Sequence, residues 1–289
     1  MKENNNPVMK VMYYLLLACM FIGAFALTGC TVNVNINNPD TVKDEADEAE
    51  VTQEDIEEVI LGSWIVADRN GQPALTNEKG VFTFVSPTEA YISASFSARP
   101  ELGTPWMSML KAEAEIDGNR VIITRKGDDE AAMVNEMIIS DINDAETQGS
   151  LVVKSVNDGE ETVITEESIR FVKVNDDYSE DIIGTWEGCC TSDGSVFDDG
   201  QEHRWEYKAD GTYIYYIKDG DEWIPSDNTL NEYFVDGNLL CTRWVEGDEE
   251  NREWWEVSID GDKMNWTALR EDEDGNTFTS TFEMTKVEE

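Results

Sequence analysis

The chain has 289 residues and a formal net charge of −41 at pH 7, although 40% of its residues are hydrophobic and 10% are aromatic. So many apolar side chains can form a buried core, which argues against global disorder. The acidic surplus argues against nucleic acid as a partner, because phosphate binding needs a basic surface. It also argues against attachment to anionic lipid through charge. We interpret the surplus as a source of solubility.

The first segment is an apolar run from Val11 to Leu27 that follows two lysines and ends in Leu-Thr-Gly-Cys at residues 27–30. A basic start, an apolar stretch and small residues are typical of a secretory signal peptide. A membrane-spanning helix is the alternative, but the run is at the short limit for a span. The last four residues resemble the lipobox of bacterial lipoproteins. The resemblance implies that residues 1–29 are removed, and that a lipid on Cys30 anchors the protein to the bacterial cell envelope, where we expect the outer membrane.

Residues 30–55 combine several asparagines with an almost continuous run of acids and alanines from Asp44 to Glu50. Such a stretch buries too little apolar surface to offset the entropy lost on ordering. We therefore predict a disordered acidic tether over 30–55. Residues 53–58 are expected to form a short helical turn that leads into the first domain.

After residue 55 the sequence repeats itself. Ile-Leu-Gly-Ser-Trp at 60–64 recurs as Ile-Ile-Gly-Thr-Trp at 182–186, and Asp-Gly-Asn at 117–119 recurs at 236–238. The order of the matching segments is kept, as it would be in two copies that differ in loop length. The sequence therefore predicts tandem domains, the first over 56–176 and the second over 178–289.

Both copies have the alternation of apolar and polar residues, broken by Gly, Asn and Asp turns, that is typical of β-strands. Sequential hairpins without intervening helices favour an up-and-down meander, and closure into a barrel removes exposed strand edges. The predicted fold class is all-β, with two tandem up-and-down antiparallel barrels of about eight strands each. The predicted strands of the second copy are 182–191, 202–208, 211–218, 229–235, 238–246, 252–259, 263–271 and 276–287.

A Gly-x-Trp motif on the first strand, followed by a meander of hairpins, is similar to the lipocalin (calycin) group. It looks most like the lipocalin-like domains of bacterial lipoproteins. The resemblance implies that Trp64 and Trp186 close one end of each barrel. It also implies that a basic residue of the last strand covers each tryptophan, with three candidates here: Arg170, Lys173 and Lys286.

The sequence offers little for catalysis. His203 is the only histidine, so a histidine-based zinc site is excluded, and nothing around it points to a Ser-His-Asp relay. We predict that it is a solvated residue at a strand end. Acids are too numerous to assign a catalytic pair, and we predict a non-catalytic protein without metal or cofactor. Cys189 or Cys190 could form a disulfide with Cys241 in an oxidising compartment, although small buried side chains are the favoured interpretation.

Seven of the nine tryptophans lie in the second copy. They could line an apolar or sugar-stacking pocket together with tyrosines, or they could fill a small core, which the residues alone favour. Trp254 and Trp255 are adjacent and must point to opposite faces of a strand, and Trp223 is expected at a mouth or on the surface. The candidate ligand-binding residues are Trp205, Tyr207, Tyr213, Tyr215, Trp223, Trp244, Trp254, Trp255 and Trp266.

The fold resemblance and these aromatic residues together lead to an expected function. The chain would bind a small apolar or amphipathic ligand, or a glycan, without catalysis. The alternative is a protein-interaction or inhibitor module of the cell envelope.

Overall fold

The computed structural model describes residues 51–93, 110–126, 132–191, 202–272 and 274–287. The predicted signal peptide (1–29), the lipidation site Cys30 and the tether up to residue 50 lie outside these ranges. Two antiparallel sheets follow one another along the described chain.

The first sheet closes on itself. Its strand order is β2-β1-β3-β4-β5-β6-β7-β8-β9, and β1 also pairs with β9, so eight of the nine strands form a continuous antiparallel barrel. Aliphatic and aromatic side chains such as Phe82, Leu151 and Phe171 fill its interior. The strands are β1 (Gly62–Arg69), β2 (Gln72–Pro73), β3 (Val81–Ser86), β4 (Glu89–Ser93), β5 (Leu110–Asp117), β6 (Arg120–Lys126), β7 (Ala132–Ile142), β8 (Glu146–Asn157) and β9 (Glu160–Val174), with a 3-10 turn at Thr76–Glu78.

The second sheet curls in the same way but stays partly open. Its order is β13-β12-β11-β10-β18-β17-β16-β15-β14, and its two sides meet through an isolated bridge between Thr212 and Glu232. The strands are β10 (Gly184–Cys190), β11 (Glu202–Tyr207), β12 (Tyr213–Asp219), β13 (Glu222–Pro225), β14 (Leu230–Asp236), β15 (Leu239–Glu246), β16 (Glu249–Asp260), β17 (Lys263–Glu271) and β18 (Thr277–Lys286).

The predicted all-β class with two tandem antiparallel barrels is confirmed, with two differences in the second sheet. Its closure is incomplete, and the short strand β13 was not predicted. β13 ends at Pro225, which has no N–H to continue the ladder, and Ser-Asp-Asn at 226–228 are turn-forming residues. The chain therefore leaves the sheet before β14 begins.

Each sheet begins with a buried tryptophan in the same setting. Trp64 is 2% exposed and Trp186 is fully buried. The indole N–H of each donates a 2.7 Å hydrogen bond to the carbonyl four residues earlier, at Ile60 and Ile182 respectively. Buried indole nitrogens usually find such an acceptor, and here the bond fixes the entry of the chain into its first strand.

A lysine of the last strand covers each of these rings. Lys173 Nζ lies 5.1 Å from the centroid of the Trp64 ring and Lys286 Nζ lies 5.0 Å from that of Trp186, within the range of a cation–π contact. Lys173 rather than Arg170 takes this role in the first sheet, because Arg170 pairs with Asp68 and Glu146 instead.

The glycine before each tryptophan makes room for that lysine. Gly62 and Gly184 have φ of +105° and +130°, conformations that side chains rarely adopt. A Cβ on Gly184 would lie 2.8 Å from Cε of Lys286. The Gly-x-Trp motif therefore combines a backbone requirement with a packing requirement.

Helix α1 (Gln53–Val59) precedes the first sheet. A reciprocal capping box between Thr52 and Asp55 begins it, and the fully buried Ile56 packs into the core of the first barrel. The expected turn at 53–58 is thus a helix of two turns. It begins within the last residues of the stretch for which we predicted disorder, because Ile56 has apolar surface to bury.

The outer faces of the two sheets pack against each other. Ile65 and Val81 of the first sheet form one buried cluster with three residues of the second: Leu239, Cys241 and Trp254. At the edge of this cluster Lys79 Nζ lies 2.8 Å from Glu256 Oε1, and the backbone N–H of Leu269 donates to Thr76 Oγ1 at 2.9 Å. Strands β15 and β16 are therefore buried on both faces, which explains why Trp254 and Trp255 are both hidden from solvent.

Candidate functional site

A cavity of about 330 Å³ lies inside the second sheet, near the lower end of the 300–1,000 Å³ range of small-molecule pockets. Six of the nine candidate ligand-binding residues line it: Trp205, Tyr213, Tyr215, Trp244, Trp255 and Trp266. They come from five strands, since alternate residues of each strand point inward.

The cavity follows the gap between β12 and β14. In the first sheet the corresponding strands, β4 and β5, pair through four residue pairs from Glu89↔Glu113 to Ile92↔Leu110. In the second sheet β12 and β14 meet only near the Thr212–Glu232 bridge. Beyond it, β12 pairs with β13, and residues 226–228 line the cavity. The incomplete closure of the sheet therefore creates the opening.

Packed aromatic rings from β11, β12, β16 and β17 build one wall of the cavity. The Trp266 ring lies 4.8 Å from that of Trp205 and 5.4 Å from that of Trp255, while Trp205 lies 5.3 Å from Tyr215. These centroid separations are in the favourable range for aromatic pairs. Each ring is therefore in contact with at least one other ring of the wall.

Trp244 lines the other side of the gap. It stands on β15, where it pairs with Asn231 of β14, and it is half-buried. The cavity is thus bounded by aromatic rings on both sides of the opening.

His203 is also part of the wall, and its predicted position as a solvated strand end is wrong. It is 6% exposed, and its Nδ1 lies 2.8 Å from the hydroxyl oxygen of Tyr215. It precedes Trp205 and Tyr207 by two and four residues on β11, so the period of two places all three on the inner face. That alternation was visible in the sequence and should have outweighed the nearby turn.

Glu253 lines the cavity on β16, two residues before Trp255 of the aromatic wall. Its Oε1 accepts a hydrogen bond from Arg270 at 3.2 Å, and its Oε2 accepts one from the indole N–H of Trp255 at 3.2 Å. The guanidinium of Arg270 also lies 4.4 Å from the Trp255 ring centroid. The charge of Glu253 is therefore compensated within the protein.

Two further polar groups of the lining are buried. The indole N–H of Trp266 is buried and has no acceptor among the described residues. Burial, with a smaller contribution from the nearby Glu253 charge, raises the pKa of Tyr213 well above its usual value. An unpaired buried donor costs free energy that a ligand acceptor could recover.

Three of the candidate residues lie elsewhere. Tyr207 packs below the cavity against Tyr213 and Tyr233, and Trp254 belongs to the cluster between the sheets. Trp223 lies on the outer face of β13, where its ring contacts Arg204 at 4.6 Å and Lys218 at 5.4 Å. The ring is half-buried there.

Nine further residues line the cavity that were not predicted from the sequence. Those on strands share the inward parity of the predicted aromatics, which could have identified them, whereas nothing in the sequence marks the loop residues. The missed residues are His203, Ile217, Ser226, Asp227, Asn228, Thr242, Glu246, Glu253 and Phe282.

The cysteines serve as small packed side chains. Cys190 lies in the core of the second sheet and Cys241 in the cluster between the sheets, and no disulfide joins them or Cys189. Burial raises the pKa of the Cys241 thiol well above its usual value.

The described ranges contain neither a metal-binding cluster nor a membrane-spanning helix. No group of three or more His, Cys, Asp or Glu side chains there is arranged to hold a metal ion. No helix in those ranges has both the length and the apolar character needed to cross a bilayer.

Comparison with known proteins gives little further information. No protein-family model matches the sequence, and no curated protein matches it. Among solved structures, the vaccine antigen transferrin-binding protein B of Haemophilus parasuis is similar over 78% of this chain, with 10% sequence identity and a TM-score of 0.24. The match covers 45% of that structure, less than half of its length. At this level of similarity no ligand or partner is transferred from that antigen.

Proposed function

We propose that this chain is an exported, lipid-anchored protein of the bacterial cell envelope that binds a small amphipathic ligand without catalysis. The ligand occupies the cavity of the second sheet. The single observation that carries the proposal is that cavity: an aromatic-walled space that opens where β12 and β14 separate.

The physical argument is the contrast between the two sheets. A barrel of about eight strands has room either for its own side chains or for one small ligand. The first sheet closes along β4 and β5 and fills its interior with side chains. The second sheet lacks the equivalent pairing and has a cavity between aromatic rings. The buried indole N–H of Trp266 has no acceptor in the described ranges and is available to a ligand.

A fluorescence titration tests this function directly. Lauric acid, octyl glucoside and choline, as probes of three chemical classes, are added to the protein while tryptophan emission is recorded. We expect a saturable change with at least one probe, and a smaller change in Trp205→Phe, whose ring forms the wall. Trp223→Phe is the matched control, because Trp223 lies outside the cavity. A signal that no probe changes would overturn the proposal.

The anchor and the domain boundaries complete the proposal. Residues 1–29 act as the signal peptide and Cys30 carries the lipid. The residues from Cys30 up to helix α1 form the tether, and 56–176 and 178–289 are two copies of one domain. The shared Gly-x-Trp-Lys arrangement of the two sheets supports the duplication. Labelling of cells with a radioactive fatty acid should mark the protein, whereas Cys30→Ala should abolish the label and release the protein from membranes; label retained on Cys30→Ala would contradict the anchor.

A second function, binding of a protein partner, has one observation in its favour. Ile217 and Ile224 face each other across β12 and β13, and they are 49% and 46% exposed at the mouth of the cavity. An exposed apolar pair of this kind can dock a partner. If Ile224→Ser abolished capture of a cell-surface protein without changing ligand titrations, this function would be preferred.

A further inference from the structure

We infer that the cavity of the second sheet selects a small organic cation, such as a quaternary ammonium compound. The inference rests on the ligand-binding function proposed above and specifies its ligand class. It is carried by the combination of aromatic walls, acidic groups at the mouth and the charge of the lining.

The walls place aromatic rings on both sides of the opening. Trp205 and Tyr215 belong to the β11–β12 side, and Trp244 stands on β15 across the gap. A cation near the face of a tryptophan or tyrosine is attracted by the ring quadrupole, and several such rings around one site are the typical receptor for quaternary ammonium groups. The interaction is stronger where water is excluded, as it is beside the buried Trp255 and Trp266.

The charges of the lining have one sign. Asp227 and Glu246 are exposed at the mouth, and Glu253 lies deeper. None of the described residues that line the cavity is a lysine or an arginine. Arg270 lies behind the Trp255 ring, where it donates a hydrogen bond to Glu253 and makes a cation–π contact with that ring. Asp227 and Glu246 have no ion-pair partner in the described part of the chain, so they attract a cationic ligand and repel an anionic one.

The net charge of the whole molecule also favours a cationic ligand. With a formal charge of −41, its surface raises the local concentration of cations and lowers that of anions. A fatty acid would have to bring its carboxylate past Asp227 and Glu246.

A pair of probes that differ only in charge separates these ligand classes. Choline and 3,3-dimethylbutan-1-ol have nearly the same shape, but the second carries a carbon in place of the quaternary nitrogen. By calorimetric titration of the full chain we expect choline to bind at least ~10-fold more tightly than the alcohol. We also expect its affinity to fall as salt is added, since part of the attraction comes from exposed carboxylates.

Variants assign the preference to the cavity. Asp227→Asn with Glu246→Gln should weaken choline binding several-fold and leave the alcohol unchanged, whereas Asp248→Asn, an exposed acid in the adjacent turn, should change neither. Trp244→Leu keeps an apolar side chain but removes the ring, and should abolish most of the preference for choline. Trp223→Leu is its control outside the cavity.

The outcomes distinguish this inference from the function on which it rests. If the alcohol or octyl glucoside binds as tightly as choline, the cavity binds ligands but the cation preference is wrong. Equal choline binding by Trp244→Leu and by the unmodified chain would also overturn the inference. If lauric acid binds and choline does not, only the ligand class is wrong. If choline, the alcohol, octyl glucoside and lauric acid all fail to bind, both the ligand class and the proposed function are wrong.

Discussion

Replacement of Trp254 by alanine should weaken the contact between the two sheets. The ring is 3% exposed and lies in the cluster that joins the sheets, directly opposite Cys241 on the neighbouring strand. Removing a buried tryptophan side chain costs about 3–5 kcal/mol. The indole N–H of Trp254 has no acceptor among the described residues, and its removal returns about 1 kcal/mol of desolvation cost. The expected net loss in free energy of unfolding is therefore about 2–4 kcal/mol.

Two assays measure this effect. Urea unfolding followed by far-UV circular dichroism gives the change in stability, and a thiol reagent reports whether Cys241 becomes accessible once the ring that covers it is gone. We expect a lower urea midpoint and rapid labelling of Cys241 in Trp254→Ala. Trp223→Ala is the matched control, with an expected loss below about 1 kcal/mol because that ring lies on the surface. An unchanged midpoint and a protected Cys241 in Trp254→Ala would refute the packing of the two outer faces.

Three further predictions concern the motif, the tyrosines and the thiols. Gly184→Ala should lower the free energy of unfolding by about 1–3 kcal/mol, because the φ of +130° is strained for alanine and a Cβ would displace Lys286. Thermal unfolding measures this loss, and an unchanged Tm would contradict the prediction. Burial raises the pKa of Tyr233 to about 12, so this tyrosine loses its proton at a lower pH in the unfolded chain than in the folded one. The free energy of unfolding should therefore fall as pH rises from about 10 to 12, and urea midpoints at several alkaline pH values would detect the fall. Cys189 is half-buried and should react with a thiol reagent in the native protein, whereas Cys241 should not. Mass spectrometry of the labelled peptides checks this, and label on Cys241 but not on Cys189 would contradict the burial of the two side chains.

Strand positions were largely predictable from the sequence because alternation and Asp-Gly turns mark them. The run 263–271 coincides with β17, and the covering lysines follow from the resemblance. The burial of His203 could have been predicted, because it lies two residues before Trp205 on the same strand and therefore faces the same side of the sheet. The consecutive apolar residues Leu239 to Cys241 also indicated a strand buried on both faces, which is how β15 contacts the first sheet.

The open side of the second sheet was not predictable in the same way. Whether β12 and β14 pair depends on where the chain between them runs, and residues 226–228 carry only a general turn signal. Whether two strands distant in sequence form hydrogen bonds depends on long-range geometry. The alternation of residues within one strand does not encode it, so the missing β12–β14 pairing was not predictable. The loop residues of the cavity could therefore be identified only from the structure.

A crystal structure of the chain grown in the presence of choline would test the central claim most directly. We predict a ligand against Trp244 and Trp205, with β12 and β14 joined only around the bridge from Thr212 to Glu232. A second sheet closed along β12 and β14, with tryptophan rings filling its interior and no ligand between them, would contradict it.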